Sequence, residues 1–457
     1  MKNYFRIFKS ASYALLAVFF ALTLTGCGKE TSTDPNANKI VVWSFETADA
    51  WKSVKKSFEK QNGGYEMVYV QETLDGDYEN RVLNSTLAGE GPDVWAMPND
   101  WVYRHKEKLS PMPDKMATAL DLDNKYVPAL KESVKFDDKI YAMSPYAEPL
   151  MVYYNPKIFS ARGEELISGN KDRDAVKRIN ALLTEPPKTW TDFTEASKLL
   201  TKKDNTIITQ AGVAMGSSQI TNAADIVYLL MYQNETDILS ADYKSATFNL
   251  PKDTSTGADD IPGKRAFEFY TSFADPLSAN FCWHDSFGND IDAFGTGKVA
   301  MIFGYSNLQN TLLQKYPDFK YKKAFAPQLA SDATKITDFA KFNAYGASKI
   351  GRNPALAWEL INILTTEGSG DFNSANKFYT SAKANSYDIS VSNRTAGNPE
   401  KLSLATAKSL VKGRYPTEFD YYIKNAVSSI GAGTQSSQIG VDSAANSINL
   451  LLRKETW

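Results

Sequence analysis

The strongest constraint on the fold is a regular alternation of strand and helix patterns that begins at residue 39. Short runs of β-branched and aromatic residues predict strands at 39–45, 65–71 and 93–97. The segments between them, 47–61 and 77–88, carry apolar residues at spacings of three and four, which is typical of amphipathic helices. This βαβαβ order predicts a parallel sheet between layers of helices, because parallel neighbours need a crossover connection.

The spacing of apolar residues indicates which faces of the two helices are buried. Trp51, Val54 and Phe58 lie on one face of the first helix. Tyr78, Val82 and Leu87 lie on the corresponding face of the second helix. We therefore expect all six side chains to pack against the sheet.

The rest of the chain adds two further strands and is otherwise mainly helical. The strands are predicted at 139–143 and from about Leu150. Thr189 precedes a helix and has Asp192 three residues later, which is a capping-box arrangement. The continuous apolar run 223–233 predicts a fully buried helix. No internal repeat with a period of 20 to 50 residues is visible, which argues against a solenoid.

The N-terminus has the pattern of an export signal. Lys2, Arg6 and Lys9 precede an apolar stretch at 11–25. That stretch is shorter than the roughly 20 residues that a membrane-spanning helix needs, and it suits a signal peptide. It ends in the sequence LTGC at 24–27, which resembles the lipobox of bacterial lipoproteins, whose cysteine receives a diacylglycerol.

We therefore expect a lipoprotein signal peptide at 1–26, lipidation (with palmitate among the acyl chains) of Cys27, and a hydrophilic tether at 27–38. This predicts a protein anchored by lipid to the cell membrane on its extracytoplasmic side. The alternative is an ordinary signal peptide followed by an incidental cysteine. The other cysteine is Cys282, so a lipidated Cys27 would leave no pair for an intrachain disulfide.

The composition of the expected mature chain narrows the classes of function. Cleavage before residue 27 would leave 431 residues (457 minus 26), which is enough for two or three domains. It would change the formal net charge from −2 to −5, because three basic residues are lost. Mild acidity without a basic stretch argues against nucleic acid as a partner. We expect a monomer and no cofactor.

Five segments, in order along the chain, together resemble the bacterial extracellular solute-binding proteins of sugar ABC importers, the maltose-binding type (family 1). They include a Gly-x-x-Pro-Asp-like turn, a Tyr-Tyr-Asn segment, a Pro-Pro-x-Thr-Trp helix start, a Lys-x-Ala-Met strand and an Ala-Trp helix. The segments are 87–94, 140–159, 186–201, 294–305 and 344–364.

The resemblance implies an α/β protein with the two-lobed periplasmic-binding-protein fold of type II. Each lobe is expected to be a sheet flanked by helices, with three crossings between lobes near residues 147, 298 and 347. Lobe one would comprise 39–147 plus 298–347, and lobe two 148–297 plus 348–457. The resemblance also implies a small-molecule sugar ligand and an ABC importer permease as partners, with ligand capture by lobe closure and no catalysis.

Candidate ligand-binding residues follow from the positions where predicted strands and crossings end, because open parallel sheets bind ligands beyond the carboxyl ends of their strands. Each set combines an aromatic ring with short polar or acidic side chains. The candidates are Phe45, Glu46, Glu72, Asn99, Asp100, Trp101, Tyr146, Glu148, Tyr305 and Tyr345, with Asn222, Asp225, Trp283 and His284 from the second lobe.

That mixture suits a sugar, since its apolar C–H face stacks on aromatic rings while carboxylates and amides bind its hydroxyls. Competing interpretations remain for individual residues. Trp43 lies mid-strand and is expected in the core, and Trp101 can pack under its own loop. His105 and His284 are distant in sequence, which argues against a shared zinc site.

Two other functions compete with sugar binding. A binding protein for a non-sugar solute is the main alternative. An exported glycoside hydrolase is the other, although the chain contains no nucleophile elbow, H-E-x-x-H helix, P-loop or Rossmann fingerprint.

Overall fold

The structure is a computed structural model that describes residues 38–252, 260–329, 336–381 and 398–454. The expected signal peptide, Cys27 and the tether as far as residue 37 lie outside the described residues. No helix within the described ranges has the length and apolar character needed to cross a membrane.

The chain is a mixture of strands and helices, as the alternating pattern predicts. The strands are β1 (Lys39–Ser44), β2 (Glu66–Gln71), β3 (Val94–Pro98), β4 (Leu109–Ser110), β5 (Lys135–Phe136), β6 (Lys139–Ile140), β7 (Tyr146–Pro149), β8 (Met151–Tyr154), β9 (Lys202–Asp204), β10 (Ile207–Val213), β11 (Val299–Gly304), β12 (Lys322–Ala324), β13 (Asp338–Lys341), β14 (Asn343–Ser348), β15 (Tyr379–Thr380) and β16 (Ala407–Lys408).

The helices cover the faces of the sheets. They are α1 (Lys52–Gln61), α2 (Tyr78–Leu87), α3 (Val102–His105), α4 (Asp114–Leu120), α5 (Leu122–Lys125), α6 (Pro128–Val134), α7 (Pro156–Ile167), α8 (Arg173–Leu183), α9 (Trp190–Leu200), α10 (Ala223–Gln233), α11 (Pro262–Thr271), α12 (Asp290–Gly295), α13 (Leu308–Lys315), α14 (Pro354–Thr365), α15 (Ser369–Asn376), α16 (Pro399–Leu404), α17 (Pro416–Gly431) and α18 (Ser437–Arg453).

The first sheet has the strand order β2-β1-β3-β14-β4. β1 and β3 are parallel, with Val42 opposite Val94, whereas β14 runs antiparallel to β3. A first hydrophobic core surrounds this sheet and draws its residues from 40–147, 340–372 and 404–411. The predicted βαβαβ unit is therefore confirmed, and it supplies three strands of this sheet.

The helices of the first sheet follow the predicted burial except at one end. Trp51, Val54, Phe58 and Val82 are buried. Leu87 is 81% exposed, so the prediction that it packs inward is wrong. It occupies the last position of α2, so the apolar spacing of the helix does not continue into buried structure at this end.

The second sheet has the order β12-β8-β11-β10-β9, and a second hydrophobic core surrounds it. The capping of α9 agrees with the capping-box pattern, since the Thr189 hydroxyl accepts from the Asp192 backbone N–H at 3.2 Å. The run 223–233 is helix α10 and is almost wholly buried.

β11 lies in a different sheet from the one that the lobe ranges imply. The range 298–347, which contains β11, was predicted to belong to lobe one. However, β11 pairs with β8 and β10, and its apolar side chains lie in the second core. All six residues of β11 are buried, which suits a central strand covered on both faces. That continuous apolar character does not indicate which sheet the strand joins.

A third sheet, β15-β7-β13-β16, joins the two cores. Along β7 the chain passes from the first core at Ala147 to the second at Leu150. Along β13 it returns, because Phe339 belongs to the second core and Ala340 to the first. The third passage follows β16, between Ala407 and Phe419. The second and third crossings between lobes were predicted near residues 298 and 347. Because the chain instead passes between the cores along β13 and β16, those two positions are wrong.

Candidate ligand-binding cleft

Polar residues gather where the carboxyl ends of β1, β3 and β11 approach the three passages between the cores. In the first sheet these ends are followed by Phe45 and by Asn99. In the second, β11 is followed by Tyr305. Contacts described below join side chains of both cores across this zone, so it forms one continuous polar region beside the third sheet.

Glu46 lies at the end of β1 and is 7% exposed. One carboxylate oxygen accepts from the Ser44 hydroxyl and the other from the Tyr146 hydroxyl at 3.3 Å, while the Tyr69 hydroxyl donates to the Glu46 carbonyl oxygen. The Tyr345 side chain is fully buried beside this group. Burial and the nearby Glu46 carboxylate raise the pKa of Tyr345.

Glu148 lies on β7, opposite Lys341 of β13. One carboxylate oxygen accepts from the Asn307 backbone N–H at 3.0 Å. Burial raises the pKa of Glu148 to about 7, and the carboxylates of Glu46 and Glu400 contribute to that rise. No lysine or arginine within the described ranges forms an ion pair with Glu148.

Glu400 belongs to the first turn of α16 and is 1% exposed. Lys323 of β12 forms an ion pair with it at 2.5 Å, and the Ser306 hydroxyl lies 3.4 Å from the same oxygen. Because Ser306 and Asn307 are neighbours, they hold Glu400 and Glu148 close together. We call Glu46, Glu148 and Glu400 the acid corner.

Asp225 occupies the first turn of α10 and is 3% exposed. The Tyr305 hydroxyl donates to one of its oxygens at 3.0 Å, and Lys341 Nζ lies 2.8 Å from the other. Asn222, one turn earlier, donates from its side-chain amide to the Phe303 carbonyl oxygen at 3.0 Å. This group therefore ties α10 to the end of β11 and to β13.

Lys412 lies in the third passage and has a side chain only 1% exposed. Its Nζ lies 3.0 Å from Asp100, which follows β3, and 2.8 Å from Asp420 of α17. Burial alone would lower the pKa of Lys412, but Asp420 and Asp100 raise it well above its usual value. We call Lys412, Asp100 and Asp420 the lysine bridge, and it links elements of both cores.

Other predicted residues at the first sheet make structural contacts. Asn99 is buried and donates to the Ser133 hydroxyl at 2.9 Å. The Phe45 ring packs edge-on against Tyr78 with centroids 4.9 Å apart. Glu72 forms an ion pair with Arg81 at 2.9 Å. Trp101 is half-buried with its ring 6.0 Å from His105, which agrees with packing under its own loop.

Trp283 and His284 make none of these contacts. Trp283 is 1% exposed in the second core, donates to Asp285 at 3.3 Å and stacks on Phe287 with centroids 5.3 Å apart. His284 is exposed and accepts from the Ser286 backbone N–H at 3.1 Å. The non-periodic sequence around Trp283 resembled a binding loop, but the indole fills the core instead.

Several residues of this zone were not among the sequence candidates. They are Lys323, Lys341, Glu400, Lys412 and Asp420. The sequence candidates were aromatic, polar and acidic residues after strands, whereas Lys323 and Lys341 lie within strands, Glu400 and Asp420 lie in helices, and Lys412 lies between β16 and α17. A charged residue beside apolar residues in a passage strand, such as Lys341 after Phe339 and Ala340, was the available signal. Within the described ranges, no group of three or more His, Cys, Asp or Glu residues is arranged to hold a metal ion.

The two sheets, their helices and the three strand passages define a two-lobed α/β binding protein. The family model for "bacterial extracellular solute-binding protein" matches residues 53–387, so the chain belongs to that family. The sugar-binding protein MalE of Xanthomonas citri has a similar structure, with a TM-score of 0.69 at 16% identity, covering 92% of this chain and 98% of that one.

Two curated relatives match shorter stretches. The maltotriose-binding protein of Pyrococcus abyssi is 26% identical over 129 residues, which is 27% of each chain. The galactooligosaccharide-binding protein of Bacillus subtilis is 25% identical over 159 residues, 34% of this chain and 37% of that protein. The matched stretches span only 27% and 37% of the length of those relatives.

Proposed function

We propose that this protein is the carbohydrate-binding component of an ABC importer and that it binds a mono- or oligosaccharide between its two lobes. The observation that carries the proposal is the polar zone in which acid side chains and tyrosines of both cores meet beside the three passages. The names of the curated relatives, which bind maltotriose and galactooligosaccharides, support a sugar as the ligand.

The chemistry of the zone suits sugar hydroxyls. Glu46 and Glu148 offer carboxylate oxygens, which accept strong hydrogen bonds. A sugar hydroxyl both donates and accepts, so it can donate to these carboxylates.

Lobe closure would follow from the arrangement of the cores. We assign lobe one to 40–147 plus 340–407 and lobe two to 150–339 plus 419–452, with the passages of the third sheet as the hinge. A ligand that contacts both lobes stabilises the closed state through its greater affinity for that state. The closed protein would then be recognised by the importer's permease, and no bond of the sugar would be broken.

A thermal-shift screen of the purified protein against mono- and oligosaccharides tests the proposal. A sugar that binds only the folded protein raises Tm, by an amount that corresponds to about 2.7 kcal/mol at 100 times its Kd. Amino acids and inorganic anions in the same screen serve as the control set. Shifts confined to that set would contradict carbohydrate binding and favour a non-sugar solute.

We also propose that Cys27 carries a lipid that holds the protein at the extracytoplasmic face of the membrane. The lipobox-like sequence supports this assignment. Cys27→Ser should move the protein from the membrane fraction to the soluble fraction, with Cys282→Ser as the matched control. Equal membrane association of both variants and the wild type would contradict lipid anchoring.

A further inference from the structure

An apolar groove lies on lobe one, at the opposite end of the first sheet from the candidate cleft. It is lined by α2, by β3, by the residues that follow α3 and by the end of β14. At this end Val94, the first residue of β3, pairs with Ala347 of β14, whereas the polar zone follows the carboxyl end of β3. The volume of the groove is about 280 Å³, slightly below the usual range of small-molecule pockets, about 300–1,000 Å³. Its size therefore suits a surface contact better than an enclosed ligand.

The groove has exposed apolar side chains along its rim. Leu87 is 81% exposed and Ile350 is 67% exposed, and both line the groove together with the buried ring of Trp95. Single exposed leucines are common on soluble proteins, but large apolar side chains gathered at one apolar groove are typical of an interaction surface.

Exposed lysines lie beside these apolar side chains. Lys108 and Lys349 both line the groove, and the Lys349 backbone N–H donates to the Lys108 carbonyl oxygen at 2.9 Å. Glu107 is the acidic residue of the lining, so two cations stand against one anion. Apolar side chains flanked by exposed cations are the combination that binds the surface of an anionic lipid bilayer.

The chain enters lobe one at the same end of the sheet. The Val41 backbone N–H of β1 donates to one oxygen of Asp93 at 2.8 Å, and the other oxygen accepts from the Arg352 backbone N–H at 2.7 Å. The start of β1 therefore lies beside the segment that carries Ile350. A fully extended chain from Cys27 to Ile40 spans at most about 45 Å. A lipid on Cys27 would thus keep this end of the lobe close to the bilayer.

We propose that this groove is a membrane-contact surface, through which lobe one rests on the bilayer that holds the lipid anchor. The inference rests on the proposed lipidation of Cys27. Leu87 and Ile350 would enter the boundary between headgroups and acyl chains, while Lys108 and Lys349 would contact lipid phosphates. Because the tether holds the surface near the bilayer, even a weak contact is populated. The candidate cleft, beyond the other end of the strands, would stay free of lipid.

Fluorescence quenching by lipid tests this contact on the full-length lipoprotein reconstituted in vesicles. Leu87→Cys and Ile350→Cys are each labelled with the environment-sensitive fluorophore NBD, and Leu277→Cys, a 96% exposed position in lobe two, is the matched control. Cys282 should stay unlabelled, because it is fully buried and burial raises the pKa of its thiol to about 12. The wild type treated with the same reagent provides the blank.

The vesicles consist of phosphatidylcholine with about 30% phosphatidylglycerol, with or without a doxyl-labelled lipid that quenches nearby fluorophores. Doxyl lipid should lower the fluorescence at positions 87 and 350 at least about 2-fold and leave position 277 unchanged. Lys108→Glu combined with Lys349→Glu should reduce the quenching at position 87. Lys171→Glu combined with Lys177→Glu, at exposed lysines of lobe two, makes the same change of charge and should not. A Tm measurement on each variant establishes that it is folded.

Flotation of the same vesicles separates this inference from the lipid anchor. Protein that floats with the vesicles but shows no quenching at positions 87 and 350 overturns the contact surface and leaves the anchor intact. Protein that does not float overturns both. Equal quenching at position 277 also overturns the inference, since the contact is then not specific to the groove. A blue-shifted NBD spectrum at position 87 without quenching overturns it as well, because a protein segment then covers the groove.

Discussion

The acid corner and the lysine bridge are both clusters of charge beside the same passages, but they differ in the balance of positive and negative charge. In the lysine bridge, one ammonium group lies within 3.0 Å of two carboxylates, Asp100 and Asp420. In the acid corner, one ammonium group pairs with Glu400 while Glu46 and Glu148 lack a cation among the described residues. All charges of the lysine bridge are therefore in ion pairs, whereas two carboxylates of the acid corner are not, within the described residues.

The pKa shifts reflect this contrast. In the lysine bridge, burial alone would raise the pKa of Asp420, but Lys412 lowers it overall. In the acid corner, burial raises the pKa of Glu148 to about 7, since no cation opposes the effect. Two buried clusters in one region can thus differ in pKa behaviour according to whether a cation lies within ion-pair distance.

The largest effect is expected on breaking the lysine bridge. Lys412→Met leaves Asp100 and Asp420 without their buried cation, so the free energy of unfolding should fall by about 3–5 kcal/mol. Chemical denaturation at pH 7.5 measures the change. Lys349→Met, at an exposed lysine, is the control and should change stability by less than about 0.5 kcal/mol. A loss as small as the control's would show that the bridge does not hold the segments together.

Removing the charge of Glu148 from the acid corner should increase the free energy of unfolding, in contrast to the loss expected for Lys412→Met. The folded-state pKa of Glu148 lies above its ordinary value of 4.5. Because the folded protein therefore binds this proton more tightly than the unfolded chain, the free energy of unfolding falls as pH rises from about 4.5 to about 7. At pH 8, Glu148→Gln should therefore be more stable than the wild type by about 1–3 kcal/mol, and at pH 4 the two should be equal.

Unfolding curves of Glu148→Gln and wild type across pH 4–8 measure that difference directly. Taking the difference removes the contributions of other titrating groups, such as Asp290, whose pKa is also raised by burial. Glu66→Gln, at an exposed glutamate on β2, provides the control. A Glu148→Gln protein less stable than wild type at pH 8 would mean that the carboxylate is stabilised by the fold.

The smallest effect is expected at Tyr305, whose partner Asp225 is already paired with Lys341. Tyr305→Phe removes one hydrogen bond to a carboxylate that keeps its cation, so stability should fall by about 1–2 kcal/mol. Tyr421→Phe, at an exposed tyrosine, is the control. A loss near that of Lys412→Met would show that the Asp225 group depends on Tyr305 rather than on its ion pair.

Local patterns predicted the first half of the fold well, because its helices and strands are long and carry their own periodicity. The buried faces at Trp51, Val54 and Phe58 are confirmed, as is the cap at Thr189. The sheet to which β11 belongs was not predictable in this way. Its continuous apolar sequence suits any central strand, and only tertiary pairing with β8 and β10 decides its place.

Sequence reasoning reached some residues of the polar zone, and their part in ligand binding stays a prediction. The positions after β1, β3 and β11 gave Glu46, Asp100 and Tyr305, which lie in that zone. Lys412 was missed, because its role depends on two carboxylates that are eight and 312 residues away along the chain. Trp283 was misplaced for the opposite reason, since an indole beside polar residues can equally well fill a core.

The discontinuous cores constrain how the chain can acquire its structure. The first core needs residues near 340–372 and 404–411 in addition to 40–147, and the second needs α17 and α18 at the C-terminus. Neither core is complete until nearly the whole chain is available. Contacts between such distant segments close large loops, which slows folding. A chain emerging N-terminus first would therefore lack part of both cores until its last helices appear.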